Sequence, residues 1–499
     1  MKAFLMFKDR DFNLSSQLPP ISDTLLQDLE INTLLNAMAL KDDYLFDIAK
    51  KTILSSLNDI DAILYRQDIL KDCLKNPSIV REIYQIPIIS NEKKHKRWLG
   101  IFSRYPAAIL NESVQIMQLF VDLLRHFRQI ADEHADKFDS EGFQRFFNML
   151  KTELDDEFFT DVEAHLVELK FRDGTLISAE LGNGNEGTNY VLRKPKTKNQ
   201  HWFKKIFSQK NPTYTFYIAD RDEAGSRALS ELKDRGIILV ANAVAQSVDH
   251  IDSFFKMLQG ELAFYIGCLN LYDQLNQLGE PITFPIPAAA NERKLSFVGL
   301  YDISLALTMK QKIVGNDINL DQKDLIIVTG ANQGGKSTFL RSIGLAQLMM
   351  QCGMYVPAES FSANLCEGLF THYKRKEDAS MKSGKLDEEL VRMSILVENM
   401  TKNSMVLFNE SFSATNEREG SEIARQIIRA LLEAGVKVVF VTHQYDFAHS
   451  FYSKKMPNAI FLRAERQADG KRSFKIYTGK PLETSFGVDV YKKVFGIDS

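Results

Sequence analysis

The most constraining feature of this chain is a glycine-rich segment between an apolar, β-branched run and a segment with helical periodicity. The run covers residues 325–330, and the loop reads Gly-Ala-Asn-Gln-Gly-Gly-Lys-Ser over residues 330–337. This is the spacing of a P-loop, in which backbone N–H groups and a helix N-terminus converge on phosphate oxygens. The sequence therefore predicts an α/β domain that binds a nucleotide.

The P-loop assigns roles to individual side chains. Lys336 is expected to reach the β- and γ-phosphates of ATP, and Ser337 is expected to ligate Mg²⁺. The predicted nucleotide-binding residues of the loop are Gly330, Ala331, Asn332, Gln333, Gly334, Gly335, Lys336, Ser337 and Thr338.

Two further apolar runs, residues 404–410 and 436–443, end in polar pairs. The first ends in Asn409 and Glu410, and the second ends in Thr442 and His443. Ligands of open α/β sheets bind where parallel strands end, so these pairs are expected near the P-loop. Glu410 is the predicted general base for water, and Asn409 stands where an acidic Mg²⁺ partner is expected. His443 is predicted to sense the γ-phosphate; the alternative is a hydrogen-bonded residue at a strand edge.

These residues resemble the ATPase domain of the MutS family, DNA mismatch-repair proteins within the ABC-type ATPases. The resemblance includes the P-loop, Gly-Met-Tyr-Val-Pro-Ala at 353–358, and Asn316 with Asp317, which resemble a short Asn-Asp motif of the family. Asn409-Glu410 falls on the family's Asp-Glu pair and Thr442-His443 on its Thr-His pair, while Ala331 replaces a proline. The resemblance implies that Asn316 also contributes to the nucleotide site.

The resemblance also implies a homodimer. Family members carry a serine-containing signature that reaches the nucleotide of the partner subunit, and the corresponding segment here is divergent. Its candidate residues are Ser383, Gly384, Lys385 and Glu388. The implied fold is an α/β P-loop ATPase domain of the ABC type, preceded by a mostly α-helical core and lever domain with a small β insertion.

Helical periodicity dominates the first part of the chain. It is predicted over residues 23–86, 112–137 and 143–171. A seam of apolar residues alternately four and three positions apart then runs from Val244 to Tyr272. This seam predicts a helix of roughly 45 Å, with coiled-coil packing along one side.

A period-two pattern interrupts the helices at residues 174–181 and 188–193. The segment between them, residues 182–187, has the spacing G-x-G-x-x-G. Because β-like residues rather than a helix follow it, a hairpin loop is favoured over a dinucleotide site.

Residues 193–198 and 201–210, which follow this pattern, are rich in basic residues, and the second stretch also contains aromatic residues. Such a segment could contact the phosphate backbone of duplex or branched DNA, or it could be a solvated loop. The candidate DNA contacts are Arg193, Lys194, Lys196, Lys198, Lys204 and Lys205.

Proline-rich residues 281–290 mark a domain boundary. The predicted domains are a helical core (1–110), lever arms with an insertion near 172–225 (111–280) and the ATPase domain (281–499). Residues 28–38 and 65–70 resemble the MutS helical core, so the mismatch-recognition and connector domains are expected to be absent.

Composition excludes some classes of protein. The net charge is −3, from 62 Lys and Arg against 65 Asp and Glu, so DNA contacts must come from local patches. Four scattered cysteines without a C-x-x-C pair suit reduced thiols better than disulfides or zinc ligands. No segment is expected to span a membrane, and the predicted location is the cytoplasm.

Two functions from different classes follow from these observations. The first is a MutS-like ATPase that binds DNA as an ATP-gated dimeric clamp without reading mismatches. The second is a slow or silent nucleotide-gated protein-interaction module. Glu410, His443 and the basic segment favour the clamp, whereas Asn409 and the divergent signature favour the module.

Overall fold

The computed structural model describes residues 1–97, 105–172, 174–194, 214–375, 384–467 and 472–482. The chain divides into two compact units. The first unit comprises Met1–Ala3, Glu82–Lys137 and Arg145–Gln259. The second unit comprises Phe4–Arg81, Phe138–Gln144 and Gly260–Ser499.

Helices form most of the regular structure before residue 280. The described α-helices are α1 (Ser22–Asp28), α2 (Ile31–Ala39), α3 (Asp43–Leu54), α4 (Ile60–Lys75), α5 (Pro77–Arg97), α6 (Pro106–His134), α7 (Glu141–Glu153), α8 (Asp156–Glu168), α9 (Glu223–Leu278), α10 (Ile303–Met309), α11 (Lys336–Gln351), α12 (Lys385–Asn399), α13 (Glu417–Glu433) and α14 (Tyr445–Tyr452).

Strands lie in one short hairpin and in two larger sheets. The described strands are β1 (Ile177–Leu181), β2 (Gly187–Leu192), β3 (Ile286–Ala288), β4 (Leu295–Leu300), β5 (Asn316–Asn319), β6 (Leu325–Gly330), β7 (Ser360–Asn364), β8 (Leu369–Tyr373), β9 (Met405–Asn409), β10 (Lys437–Val441), β11 (Ala459–Arg466) and β12 (Arg472–Thr478).

Side-chain caps fix several of the helix starts. Asp42 and Asp59 accept hydrogen bonds from backbone N–H groups at the starts of α3 and α4. Asp155 caps α8, which begins three residues after the end of α7. The predicted helical segment 143–171 is therefore two helices, because the carboxylate satisfies N–H groups that a continuous helix would use internally.

Phenylalanine side chains form the core of the first unit. Phe127 of α6 packs against Phe146 of α7 and against Phe254 and Phe255 of α9, with ring centroids 6.0–6.4 Å apart. Phe120 meets Phe255 edge to face at 5.1 Å. These contacts confirm that the apolar periodicity of these segments marks buried helix faces.

Helix α9 is longer than the sequence predicted. Its 56 residues correspond to about 84 Å at 1.5 Å per residue, against the expected 45 Å. The prediction missed the N-terminal part of α9. This part contains Gly225 and Gly236, and its Leu229 and Leu239 side chains are exposed. At Gly236 the helix lies close to β1, since a Cβ there would lie 2.4 Å from the Ile177 side chain and would displace it.

The period-two pattern forms the predicted hairpin. Strands β1 and β2 pair antiparallel, with Ile177 opposite Leu192 and Leu181 opposite Gly187. The G-x-G-x-x-G segment lies in the turn between them, where Gly184 has φ 74°. The dinucleotide alternative is wrong, because strand β2 rather than a helix directly follows this turn and its glycines serve chain reversal.

One apolar helix bears on the expectation that no segment spans a membrane. Residues Pro106–Lys137 are long and apolar enough, by length and composition alone, to cross a bilayer. More than half of this helix's most apolar window is buried inside the fold. A core helix of a soluble protein passes the same test, so the evidence for a membrane span is weak.

The second unit contains both larger sheets. The six-stranded sheet has the order β12-β11-β6-β10-β9-β8, and its strands are parallel except for the β11–β12 pair. The four-stranded sheet has the order β3-β7-β4-β5. The prediction of an α/β fold is confirmed in this form. Every residue of β6 is buried, which explains its apolar run from Leu325 to Val328.

The N-terminal segment of the second unit is fixed to α9 by a buried carboxylate. Glu261 is fully buried and accepts backbone hydrogen bonds from Leu5 at 2.7 Å and Phe12 at 3.2 Å. The Tyr265 hydroxyl donates to the Leu5 carbonyl at 2.5 Å. Burial raises the pKa of Glu261 to about 7, despite the opposing backbone hydrogen bonds.

All four cysteines lie among the described residues, and all four are buried free thiols: Cys73, Cys268, Cys352 and Cys366. Burial raises the pKa of each thiol, to about 12 for Cys352 and Cys366. Each is therefore a small apolar core side chain in its protonated form.

Candidate nucleotide site

A cavity of about 490 Å³ lies in the second unit at the carboxyl ends of the parallel strands. One wall is the P-loop from Asn332 to Thr338. Glu410 and His443 also line the cavity, and an apolar region near Tyr301 and Ile313 continues it. The cavity therefore combines phosphate-directed backbone with an apolar space of the kind that a base occupies.

Strand register brings the predicted polar residues to the P-loop. Val441 of β10 pairs with Val328 of β6 on one side and with Asn409 of β9 on the other. The Glu410 N–H then donates to the Val441 carbonyl at 2.9 Å. The ends of three adjacent strands are therefore level, as the sequence predicted from the positions of its polar pairs.

Two glycines are required by the path of the loop. Gly330 has φ 109°, and a Cβ on it would lie 2.9 Å from the backbone nitrogen of Ala464 in β11. Gly335 has φ 85° and precedes the first residue of α11. Both conformations are unfavourable for residues with a Cβ, so the loop path depends on glycine at these positions.

Lys336 lies inside the curve of the loop. Its Nζ donates to the carbonyl oxygens of Gly330 and Ala331, at 3.1 and 2.9 Å. The residue is 5% exposed, and burial lowers the pKa of its amine to about 8 against the opposing charge of Glu410. A partly desolvated cation at this point would interact strongly with a phosphate.

Ser337 and Asn409 contact each other directly. The Ser337 hydroxyl donates to the Asn409 side-chain oxygen at 3.0 Å. Across the described part of the chain, no group of three or more His, Cys, Asp and Glu side chains could hold a metal ion. Mg²⁺ would be held by the Ser337 hydroxyl with phosphate oxygens and water, and the Asn409 amide oxygen would accept a hydrogen bond from a Mg²⁺-bound water.

Glu410 and His443 form a pair beside the loop. The Nε2 of His443 lies 2.7 Å from Oε1 of Glu410, and both side chains are about one-third exposed. The hydrogen bond from His443 lowers the pKa of Glu410, and the charge of Lys336 adds to this effect. Glu410 is therefore ionised near neutral pH and can accept a proton from water. Its backbone has φ 55°, a conformation uncommon for a residue with a side chain.

Asn316 lies at the cavity, whereas the described residues of the divergent signature do not. Asn316 lines the cavity, and its side-chain oxygen accepts a hydrogen bond from the Ile476 N–H of β12 at 2.7 Å. Gly384, Lys385 and Glu388 begin α12, and none of these three described residues lines the cavity of the same chain. Ser383 lies outside the described residues.

The candidate DNA residues are described only in part. Arg193 donates from Nε to the Ser178 hydroxyl at 2.8 Å, and Lys194 pairs with Glu168 at 2.7 Å. Both belong to the first unit. The other candidates, Lys196, Lys198, Lys204 and Lys205, lie outside the described residues.

Sequence reasoning missed several residues of the cavity. Phe474 of β12 lines it with φ 61°, and Arg472 of the same strand donates from Nε to the Asn332 carbonyl at 3.2 Å. No motif marks a hairpin strand that returns to the P-loop from 140 residues away. The apolar pair Ile313 and Val314, next to the Asn-Asp motif, was a signal that could have been used.

The fold and the site together define a P-loop nucleotide-binding protein. Residues 58–278 match the family model described as the MutS2 N-terminal domain, and residues 326–497 match the model described as MutS domain V. The chain belongs to the MutS family.

Individual relatives match a smaller part of the chain. The DNA mismatch repair protein MutS of Leptospira interrogans is 26% identical over 269 residues, which is 49% of this chain and 32% of the relative. MutS protein homolog 4 of Homo sapiens is 27% identical over 256 residues, 50% of this chain and 26% of the relative. The DNA mismatch repair protein MutS of Thermotoga maritima is 30% identical over 184 residues, which is 36% of this chain and 23% of the relative. The matched part spans about a third or less of each of these relatives.

Proposed function

We propose that this protein binds ATP with Mg²⁺, hydrolyses it, and uses it to close a homodimer around DNA. The observation that carries this proposal is the convergence of Lys336, Ser337, Glu410 and His443 on one cavity, with Asn409 hydrogen-bonded to Ser337. The names of the relatives, which include DNA mismatch repair proteins, support DNA as the partner.

The residues divide the chemistry of hydrolysis between them. Lys336 and the P-loop N–H groups bind the phosphates, and Mg²⁺ supplies charge neutralisation at the β- and γ-oxygens. Glu410 accepts the proton of the attacking water, and its pair with His443 fixes the carboxylate. His443 lines the same cavity and would sense the γ-phosphate.

An exposed apolar face on α12 supports the homodimer. Val391 and Ile395 lie one turn apart and are 56% and 50% exposed, with Leu390 and Val397 also exposed. A second copy would cover this face and would bring Gly384–Glu388 towards a nucleotide in trans.

We further propose that DNA binding is independent of mismatches. The candidate residues Arg193 and Lys194 are cations, which contact phosphates in any sequence. Duplex or branched DNA fits this chemistry. A cytoplasmic location fits the four reduced, buried thiols.

The test is ATP hydrolysis by the full chain, measured alone and with duplex, branched and single-stranded DNA. Lys336→Ala is the control for activity from the P-loop. Hydrolysis that is stimulated by duplex or branched DNA and abolished in the variant supports the proposal. Hydrolysis unaffected by every DNA would remove DNA as the partner.

A second candidate function rests on Asn409. An amide lacks the negative charge that holds hydrated Mg²⁺, so hydrolysis could be slow or silent. The protein would then be a nucleotide-gated module that binds a protein partner. ATP binding and ATP-dependent dimerisation without turnover would favour this module over the clamp.

A further inference from the structure

The two residues after Glu410 are held by side chains from outside their own loop. Ser411 and Phe412 are both buried, and Phe412 has φ 60°. The Phe412 carbonyl accepts a hydrogen bond from Gln444 Nε2 at 2.9 Å, next to His443. The position of Glu410 therefore depends on how this short turn is anchored.

One anchor is His372 at the end of β8, which is fully buried. Its Nε2 lies 3.0 Å from the carbonyl oxygen of Glu389, so Nε2 carries the ring proton and donates. Its Nδ1 lies 2.8 Å from the Ser411 hydroxyl. The same hydroxyl donates to the His372 backbone carbonyl at 2.5 Å. The imidazole also stacks on the Phe412 ring, with centroids 5.2 Å apart and planes 17° apart.

The second anchor is Glu389 itself, a buried residue of α12. The Phe412 backbone N–H favours the ionised form of its carboxyl group, while burial raises the pKa of that group. Helix α12 therefore meets the turn at two points. The Glu389 carboxylate lies beside the Phe412 N–H, and the Glu389 carbonyl is linked to Ser411 through His372.

The arrangement joins two regions with different proposed roles. Gly384, Lys385 and Glu388 at the start of α12 are the candidate contacts to a partner's nucleotide, and Glu389 directly follows Glu388. Its carboxylate lies beside the Phe412 N–H of the turn after Glu410, and its carbonyl accepts a hydrogen bond from His372. A shift of the first turn of α12 would therefore move both His372 and Ser411, because buried hydrogen bonds are costly to break.

We infer that Glu389 and His372 are positioning residues that transmit the position of helix α12 to Glu410. The inference rests on the proposed function in naming Glu410 as the group that acts on water. Neither residue touches substrate. Both set the geometry of the turn that carries the carboxylate.

The experiment compares Ser411→Ala and Glu389→Gln in the full chain with two matched controls. Ser15→Ala and Glu433→Gln make the same substitutions at exposed positions outside α12 and outside the cavity. We expect kcat for ATP hydrolysis to fall about tenfold in each test variant, the effect of losing roughly one buried hydrogen bond. The Kd for ATP should stay within about twofold, because the P-loop is unaltered.

Non-additivity provides a further test. Because both substitutions act on one turn, the double variant should lose little more activity than either single variant. Losses that multiply would show independent effects and would overturn the inference. An equal rise in Kd with the fall in kcat would indicate general damage to the site, with the same consequence.

A readout without turnover separates this inference from the proposed function. Hydrogen–deuterium exchange of peptides covering residues 410–415 should be faster in Glu389→Gln than in Glu433→Gln. If the wild type does not hydrolyse ATP but this difference is present, the proposed hydrolysis fails and the coupling stands. Unchanged exchange would overturn the coupling whether or not the wild type is active.

Discussion

The hydroxyl of Ser337 donates to the side-chain oxygen of Asn409 across 3.0 Å, which joins the first turn of the P-loop helix to the end of β9. The Asn409 amide therefore stands where an acidic partner of Mg²⁺ is expected, and it faces the hydroxyl that is expected to ligate Mg²⁺. Because it carries no charge, it can orient Mg²⁺-bound water only by hydrogen bonding.

The first prediction concerns this amide. Asn409→Asp should lower the Mg²⁺ concentration that gives half-maximal ATP hydrolysis, because a carboxylate attracts the hydrated ion more strongly. The measurement is a Mg²⁺ titration at fixed ATP for both proteins. Coincident curves would show that Asn409 does not contribute to metal binding.

The second prediction separates binding from chemistry. Lys336→Ala should abolish tight ATP binding, since it removes a buried cation from the phosphates. Glu410→Gln should retain binding and lose at least about a hundredfold in kcat, because an amide cannot accept the proton of water. It should accumulate a dimer with ATP, visible by size-exclusion chromatography.

Exposed residues provide the controls for these variants. Lys402→Ala and Glu433→Gln make the same changes away from the cavity. Both should behave as the wild type does. A monomeric, fully active Glu410→Gln would contradict the assigned role of Glu410.

The third prediction is a pH dependence of stability caused by Glu261. Its pKa of about 7 in the fold exceeds the ordinary 4.5, so the folded state retains the proton longer than the unfolded state. The resulting stabilisation is complete below pH 4.5 and is lost as pH rises through 7. Between pH 5 and pH 8, the loss should be about 2–3 kcal/mol.

Glu261→Gln isolates this effect, because glutamine does not titrate. Urea unfolding of wild type and variant at several pH values gives the difference in unfolding free energy. That difference should shift in favour of the variant as pH rises. A difference independent of pH would show that the carboxyl group is already ionised in the fold.

The fourth prediction concerns DNA. Replacing Arg193, Lys194, Lys196, Lys198, Lys204 and Lys205 by glutamine should weaken binding and reduce the slope of log affinity against log salt by about 0.9 per lost phosphate contact. Lys71→Gln and Lys75→Gln, exposed cations of the second unit, are the control. An unchanged slope would place the DNA site elsewhere.

The fifth prediction follows from the hairpin strand β12. Arg472 donates to the Asn332 carbonyl and so lies against the loop that would hold phosphates. Arg472→Ala should weaken ATP binding several-fold, a loss of about 1 kcal/mol that is typical of one intramolecular hydrogen bond. Equilibrium titration with a fluorescent ATP analogue measures it. Unchanged affinity would limit Arg472 to a structural role.

The parts of the site that follow from the sequence are those with local causes. The P-loop, Asn409, Glu410 and His443 could be predicted because each directly follows an apolar strand, and parallel strands end at one edge. The hairpin around Gly184 was equally local. The domain boundaries and the roles of Gly384, Lys385 and Glu388 stay predictions.

The missed parts depend on contacts between distant segments. Phe474 reaches the cavity only because β12 pairs with β11, which pairs with β6. His372 contacts Ser411 across 39 positions of sequence, and periodicity gives no sign of it. Glu261 resembled one more polar residue of a long helix, yet it binds the N-terminal segment 249 positions away.

The four buried thiols have a practical consequence for measuring motion. Thiol reagents attack the thiolate form, which burial suppresses at Cys73, Cys268, Cys352 and Cys366. A cysteine introduced at an exposed position of α12 would therefore react selectively in the otherwise unaltered chain. Fluorescent or spin labels attached there could follow the helix during nucleotide binding without first removing the native cysteines.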